Sequence, residues 1–275
     1  MLELGQIEGV DRVLVLPQVG STNDYASQVL DQRPEDWGAF NLIATDTQTR
    51  GRGRLDRIWL APAGKNLALS FLIRPLFSTQ TLPLEGYHWL GSLAALALAD
   101  SLGRMGVAAS LKWPNDLLIG QKKLAGILTQ LLPEKEGGYA LVVGLGLNVN
   151  LEAAELPVEG ATSLLLATGR PHELGALAGE IASSFAAYYR AFEAAGWNPQ
   201  TPLDLDGRQA SLLERLESQT STLGRRVTLH LPGGQQVQGV AEGLTPGGEL
   251  ELRADSGEIR AYRVGDLVHL RPAES

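Results

Sequence analysis

The chain has 275 residues, of which 44 % are hydrophobic and 20 % are charged, and its formal net charge is -8. This composition is ordinary for a folded globular protein and excludes a fibrous or disordered one. The chain has no cysteine, which excludes disulfides and thiol chemistry, and its four histidines lack paired ligand spacing, so no protein metal site is predicted. The acidic balance disfavours non-specific binding to nucleic acid or to anionic lipid.

No segment of the sequence predicts a membrane location. The longest apolar run, over residues 90–99, is shorter than the ~20 residues that a spanning helix needs. The N-terminus lacks the basic and apolar regions of a signal peptide. We therefore expect a cytoplasmic protein that does not contact a membrane.

The first 150 residues contain many short apolar runs. Residues 12–16 predict a strand, and Ser21-Thr22-Asn23 has the residue types that cap a helix. Further strands are predicted at 41–46, 66–73, 109–112, 117–119, 123–132 and 139–149, with a helix at 88–104. Short turns at 120–121 and 134–138 indicate antiparallel hairpins. The pattern predicts an α+β fold with a mixed, largely antiparallel sheet.

The pattern changes after Asn150. Helices are predicted at 173–195 and 203–217. Alternating runs at 226–231, 235–242, 249–253 and 258–264 then predict a small all-β module. We expect a catalytic domain over residues 1–220 and a β domain over residues 221–275. The β domain carries none of the motifs discussed next, so we expect it to lie apart from them.

Residues 45–54 end in the alternating run Arg50-Gly51-Arg52-Gly53-Arg54, and Arg57 and Trp59 follow. We call these residues the arginine-glycine segment. Glycines let backbone N–H groups turn towards an anion, and guanidinium groups bind phosphate or carboxylate oxygens in pairs. The segment therefore favours an anion site. A flexible basic surface loop is the alternative explanation.

A second motif, KWPND at residues 112–116, is followed after a turn by KLAGIL at residues 123–128. A hairpin would bring Asn115, Asp116 and Lys123 together, so that a carboxylate and an ammonium could both reach an acyl phosphate. The small Gly126 could let a ligand lie against the strand. Alternatively these charges are merely solvated, which is the interpretation we adopt for Lys122.

The third motif is GLGLNVN at residues 144–150. Its glycine pattern is incomplete and no clear helix follows, which disfavours a dinucleotide fold. We expect the glycines to leave room for a flat ligand and the Asn148 amide to pair with a base edge. A structural bulge explains the glycines equally well.

Taken in order, these motifs and Ser21-Thr22-Asn23 resemble the catalytic core of biotin-protein ligases, closely over residues 13–150. The resemblance implies a catalytic domain like that of class II aminoacyl-tRNA synthetases, followed by a small SH3-like β-barrel. It implies a biotin site formed by Ser21, Thr22, Asn23, Gln48, Arg52, Gly53, Arg54, Lys123 and Gly126. It implies an ATP and adenylate site formed by Arg54, Trp59, Lys112, Asn115 and Asn148. The expected catalytic residues are Lys123, Arg52, Arg54 and Asp116.

The activity implied is ATP-dependent formation of biotinyl-adenylate, with Mg²⁺ accompanying ATP, and then transfer of biotin to a lysine. The partner would be the biotin carboxyl carrier protein or domain of a carboxylase. The resemblance allows a homodimer. Because the first predicted strand starts near Arg12, we expect no DNA-binding winged-helix domain ahead of it and no nucleic-acid partner.

Two other functions are compatible with the same residues. Lipoate-protein ligases use the same two-step chemistry on a related fold. A non-catalytic nucleic-acid-binding protein could instead use the arginine-rich segment and the β module, although the acidic net charge opposes this.

Overall fold

The structure is a computed structural model that describes residues 2–54, 57–59, 61–78, 81–135, 137–205, 207–263 and 265–269. Its main sheet has strands β1 Arg12–Val15, β2 Phe40–Thr45, β3 Asn66–Ile73, β4 Ser110–Lys112, β5 Asp116–Ile119, β6 Lys122–Pro133 and β7 Tyr139–Asn148. The strand order is β1-β2-β3-β7-β6-β5-β4. β1 pairs with β2 in parallel, and the other neighbours are antiparallel. The predicted mixed, largely antiparallel sheet is confirmed.

Helices cover both faces of this sheet. They are α1 Thr22–Gln32, α2 Trp89–Arg104, α3 Leu164–Thr168, α4 Leu174–Ala194 and α5 Leu212–Gln219. On one face Phe185 of α4 packs its ring edgewise on Phe71 of β3, with centroids 4.8 Å apart. On the other face α1 buries Ala26 and Leu30 in a separate cluster. Burial on both faces explains why β2 and β3 are buried at every residue. None of the described helices is long and apolar enough to span a bilayer.

A second, smaller sheet follows α5. Its strands are β10 Arg226–His230, β11 Gln236–Leu244, β12 Leu250–Arg253, β13 Ile259–Tyr262 and β14 Asp266–His269, in the order β13-β12-β11-β10-β14. All neighbours are antiparallel. We call this unit the C-terminal sheet. It agrees with the predicted all-β module and adds β14, which lies beyond the last predicted run.

The predicted helix at 203–217 is wrong in its first half. Strands β8 Pro202–Leu205 and β9 Arg208–Ser211 form a hairpin there. Gly207, between them, has a φ of 67°, which glycine adopts without strain. The helix starts only after Ser211, because Ser211 and Glu214 form a capping box. That S-x-x-E spacing was visible in the sequence and could have placed the boundary.

A buried ion pair ties the ends of β3 and β6 to the segment after α1. Arg74 and Glu134 side chains are both 6 % exposed, and Arg74 Nε donates to Glu134 Oε2 at 3.0 Å. The same guanidinium donates to the carbonyls of Pro34 and Trp37, each at 2.6 Å. One side chain therefore holds three segments together at one end of the central strands.

We expect Arg74→Met to lower the free energy of unfolding by about 3 to 5 kcal/mol, because it leaves the buried Glu134 carboxylate and the buried Trp37 carbonyl without their donor. Urea denaturation measures this. Arg226→Met is the matched control, since Arg226 pairs with Asp255 on the surface at 2.7 Å and its loss should change stability little. Similar effects of the two substitutions would contradict a special role for the buried pair.

Candidate active site

A cavity of about 470 Å³ lies on one face of the main sheet, below the first turn of α1 and the arginine-glycine segment. The structure brings every residue predicted to act in catalysis or binding onto its wall. They are Ser21, Thr22, Asn23, Gln48, Arg52, Gly53, Arg54, Trp59, Lys112, Asn115, Asp116, Lys123, Gly126 and Asn148. Their roles stay predictions, but their convergence from five separate sequence motifs is a property of the fold.

The cavity floor is formed by small residues of β3, β7 and β6. Gly144 lies opposite Ser70 and Leu128, and Gly146 lies opposite Ala68 and Gly126. Residues two apart on a strand share a face, so both rows lie on the face of the sheet that carries the cavity. The floor is therefore nearly free of side chains along its centre.

Two side chains of the chain itself lie in the space above these glycines. A Cβ on Gly144 would be 2.2 Å from Asn23 Oδ1, and a Cβ on Gly146 would be 2.5 Å from Trp59 Cε2. At both distances an added Cβ would overlap the side chain, so Asn23 or Trp59 would have to move. The expectation that these glycines leave room for a flat ligand is corrected here, because Asn23 and Trp59 fill that room.

The arginine-glycine segment folds back on itself above the floor. Trp59 N donates to Gly51 O at 2.9 Å, and Gly53 N donates to Arg57 O at 2.7 Å. A Cβ on Gly51 would be 2.0 Å from Trp59 O, so glycine is required for this close approach. In its described part the segment is a hairpin that places Trp59 on the sheet, rather than a loose surface loop.

The β5–β6 hairpin brings a carboxylate and an ammonium together, as its sequence predicts. Lys123 Nζ lies 2.6 Å from Asp116 Oδ1, with the side chains 32 % and 22 % exposed. The same ammonium lies 5.7 Å from the centroid of the Trp59 ring. The Lys123 backbone is fixed from the other side, since its N–H donates to Gly160 O at 2.8 Å. Lys123 is thus a positioned cation at the cavity wall.

Arg54 links the KWPND motif to the C-terminal sheet. It donates to Asn115 Oδ1 at 2.9 Å and to Gly265 O at 3.3 Å. Asn115 in turn donates to Ile127 O at 2.9 Å, which fixes its amide. Leu267 of β14 also lines the cavity. The expectation that the β module lies apart from the motifs is therefore wrong.

The first turn of α1 presents polar groups at one end of the cavity. Ser21 caps the helix, and the N–H and hydroxyl of Thr22 both donate to Gln48 Oε1, at 2.8 and 3.1 Å. Two donors on one oxygen hold the Gln48 amide in one orientation. Arg52 lies at the rim, where it pairs with Asp24 at 2.7 Å.

The side chain of Asn148 is buried in the cavity wall, although we expected its amide to pair with a base edge. It is 2 % exposed, and its amide donates to Thr162 O at 3.0 Å. One of its donors is therefore committed to the chain and is not available to a base edge.

Several lining residues are not among those expected to bind biotin or ATP or to act in catalysis. They are Arg57, Ile58, Ala68, Trp113, Pro114, Ile127, Leu128, Gly144, Leu145, Gly146, Pro157, Val158, Ala161 and Leu267. Of these, Ile58 and Val158 are apolar yet 74 % and 61 % exposed. The segment that carries Pro157 and Val158 has no charged or glycine-rich motif. Its place at the cavity follows only from the bridge between Lys123 and Ala161.

The arrangement suits an anionic ligand. Arg54, Arg57, Lys112 and Lys123 all line the cavity, and the residues that begin α1 lie at its wall. Asp116 is the one carboxylate among the described lining residues. In the described part of the chain no group of three or more histidine, aspartate or glutamate side chains could hold a metal ion.

Known proteins share both the sequence and the architecture of this chain. The family described as "Biotin/lipoate A/B protein ligase family" matches residues 15–148, and "Biotin protein ligase C terminal domain" matches residues 222–270. The chain is 33 % identical over 273 residues to a biotin–[acetyl-CoA-carboxylase] ligase of Mycobacterium tuberculosis, covering 98 % of this chain and 92 % of that protein. It is 34 % identical over 162 residues to a bifunctional ligase/repressor of Bacillus subtilis. This second match covers 58 % of the chain and spans only 48 % of that relative's length.

Among solved structures, the biotin protein ligase from Aquifex aeolicus in complex with biotin and ATP superposes with a TM-score of 0.73. Its sequence is 26 % identical, and the superposition covers 94 % of this chain and 100 % of that one. The chain thus shares the architecture of biotin protein ligases, a mixed-sheet domain followed by a small SH3-like C-terminal domain. The chain belongs to the biotin-protein ligase family, which confirms the resemblance seen in the sequence.

We expect Gly146→Ala to displace the Trp59 indole and to lower the free energy of unfolding by about 1 to 3 kcal/mol, since the new methyl group overlaps the ring. Thermal and urea unfolding measure the loss, and a crystal structure of the variant shows the ring position. Gly179→Ala is the matched control. A Cβ on Gly179 of α4 meets nothing within 4 Å, so that variant should be at least as stable as the parent. Equal stability of both variants would refute the packing of Trp59 on Gly146.

Proposed function

We propose that this chain is an ATP-dependent biotin-protein ligase that forms biotinyl-5'-AMP and transfers biotin to a lysine of a biotin carboxyl carrier protein or domain. The observation that carries the proposal is the convergence of the predicted biotin and ATP residues on one cavity in a chain of this family. Residues 1–220 would act as the catalytic domain and residues 221–275 as the β domain, in the cytoplasm.

Biotin would bind at the end of the cavity near α1. Ser21, Thr22 and Gln48 supply hydroxyl and amide groups there, which suit the polar ureido ring of biotin. Asn23 and Gly53 complete this part of the wall, and Gly126 lies farther along it, beside Lys123 and Trp59. The carboxylate of biotin would then extend towards Lys123, where an ammonium can stabilise its charge.

ATP would bind on the side formed by the KWPND motif and Trp59. The Trp59 ring offers an apolar face for adenine, while Lys112, Arg54 and Asn115 offer donors to phosphate and ribose oxygens. Since Trp59 lies over Gly146, its ring would pack on the sheet from one side and on adenine from the other. One N–H of the Asn148 amide is bonded to Thr162 O, so Asn148 would contribute through its oxygen or its second N–H.

In the first reaction a carboxylate oxygen of biotin attacks the α-phosphorus of ATP, and the bond to the β-phosphate breaks to release pyrophosphate. This step needs charge stabilisation and alignment rather than a covalent nucleophile, which agrees with a chain that has no cysteine. Lys123, Arg54 and Arg52 would offset the negative charge that builds up between the two reactants.

In the second reaction the amine of the carrier lysine attacks the acyl carbon, and AMP leaves. The amine must lose a proton first, because its ordinary pKa is about 10.4. Asp116 would accept or orient that proton. Its oxygen lies 2.6 Å from Lys123 Nζ, so the two groups would act at neighbouring atoms of the same anhydride.

Mg²⁺ would arrive with ATP. The described cavity wall offers a single carboxylate, Asp116, and it is already paired with Lys123. This donor set fits an ion that is held mainly by phosphate oxygens and water. When bound, the ion would neutralise phosphate charge.

The direct test supplies the chain with ATP, Mg²⁺ and labelled biotin, together with a carrier domain of acetyl-CoA carboxylase. We expect pyrophosphate release without the carrier and label on one carrier lysine with it. Replacing biotin with lipoate distinguishes the lipoate ligase alternative, and a DNA titration at several salt concentrations distinguishes a nucleic-acid-binding protein. Neither label nor pyrophosphate under these conditions would reject the proposal.

We expect Lys123→Ala to leave the fold intact and to slow pyrophosphate release at least tenfold, because one lost charged hydrogen bond corresponds to about 1.5 to 3 kcal/mol. Burst kinetics of pyrophosphate release measure this. The neighbouring Lys122→Ala is the control, since Lys122 is exposed and does not line the cavity. A normal burst in the Lys123 variant would remove the residue from the mechanism.

We expect Arg54→Ala to release biotinyl-adenylate into solution and to increase labelling of unrelated proteins. The substitution removes the bonds to Asn115 and Gly265 that hold the hairpin against the cavity. Dissociation of labelled adenylate and off-target labelling are measured together. Arg50→Ala, in the same segment but not on the cavity wall, should behave as the parent. Unchanged dissociation with slower synthesis would mean that Arg54 serves the first reaction instead.

A further inference from the structure

The side chain of Asn23 lies across three strands of the main sheet. Ser70 of β3, Gly144 of β7 and Leu128 of β6 form one cross-strand row. Ser70 Oγ donates to Asn23 Oδ1 at 2.6 Å, and Asn23 Nδ2 donates to Leu128 O at 3.3 Å. Gly144, in the middle, provides the space in which the carboxamide lies.

These contacts define which way the amide faces. The Leu128 carbonyl can only accept, so Asn23 must direct its nitrogen there and its oxygen towards Ser70. The Ser70 hydroxyl therefore acts as the donor. Asn23 Oδ1 is then occupied, and one of the two N–H groups is occupied by Leu128.

The remaining N–H has no acceptor among the described residues, while Asn23 itself is 5 % exposed and lines the cavity. A buried donor without a partner is costly, so a bound ligand that supplies an oxygen gains that interaction. A carboxamide turned the other way would present an oxygen instead and would repel the same ligand atom.

We propose that Ser70 is a positioning residue for biotin, which holds the Asn23 carboxamide so that it offers an N–H to a carbonyl or carboxylate oxygen of the ligand. Ser70 is fully buried and does not line the cavity, so it acts through Asn23 and not by contact. This inference rests on the proposed function. It adds a residue of β3, a strand in which the sequence analysis assigned no functional residue.

The test measures the Kd for biotin and the Kd for ATP by calorimetry in Ser70→Ala, Asn23→Ala and the double variant. We expect Ser70→Ala to raise the biotin Kd roughly tenfold, as expected for one lost hydrogen bond. The ATP Kd and the kcat at saturating biotin should stay unchanged. In the Asn23→Ala background, Ser70→Ala should add nothing, because the two residues act as one unit.

Ser101→Ala is the matched control. Ser101 is also fully buried, and its hydroxyl donates to Ala97 O within α2, away from the cavity. It should leave the biotin Kd unchanged. If Ser70→Ala does not fold, Ser70→Cys tests the same point, since cysteine fills the site and donates only weakly to Asn23 Oδ1. The biotin Kd of Ser70→Cys should rise while its ATP Kd stays unchanged.

Three outcomes would overturn the inference: a biotin Kd of Ser70→Ala equal to the parent's, parallel losses for biotin and ATP, or additive losses in the double variant. Failure of the parent chain to bind biotin or to release pyrophosphate would instead reject the proposed function. The two failures are therefore distinguishable in one set of experiments.

Discussion

The shape of the cavity depends on two side chains, Asn23 and Trp59, that pack closely on glycines of the main sheet. Asn23 and Trp59 come from segments on either side of β2, yet each lies where a Cβ on Gly144 or Gly146 would be. The absence of a Cβ at Gly144 and Gly146 thus sets the depth of the cavity and the positions of its two main walls. Alanine at either position would move the wall, because packed interiors leave little room for an added methyl group.

The polar side chains of the site are oriented by hydrogen bonds and an ion pair within the chain itself. Gln48 accepts two donors from Thr22, Asn115 bridges Arg54 and Ile127, and Asp116 pairs with Lys123. Each side chain therefore has its orientation defined by a neighbour on another element. Because these side chains are already ordered, ligand binding costs less conformational entropy.

Local sequence predicted the strands well because β2, β3 and β7 are long apolar runs with clear turn residues at their ends. The ordered motifs also predicted which polar residues share the cavity. Contacts between distant segments could not be predicted in the same way. Nothing local to Gly144 indicates that Asn23 fills its space, and nothing local to Gly265 indicates that its carbonyl meets Arg54. The hairpin at β8 and β9 was missed although Leu203 and Leu205 have the two-residue spacing of a strand and Gly207 favours a turn.

The bond between Arg54 and the Gly265 carbonyl joins residues 211 positions apart. During translation, the ribosome would release the arginine-glycine segment long before β14 has been synthesised. A nascent chain, or one cut short by a premature stop codon before residue 265, would therefore present a cavity without Leu267 and an arginine without this acceptor. Among the described residues β14 is the last strand, and it completes a wall that the first third of the sequence began. Synthesis must therefore reach at least Leu267 before the cavity has its final form.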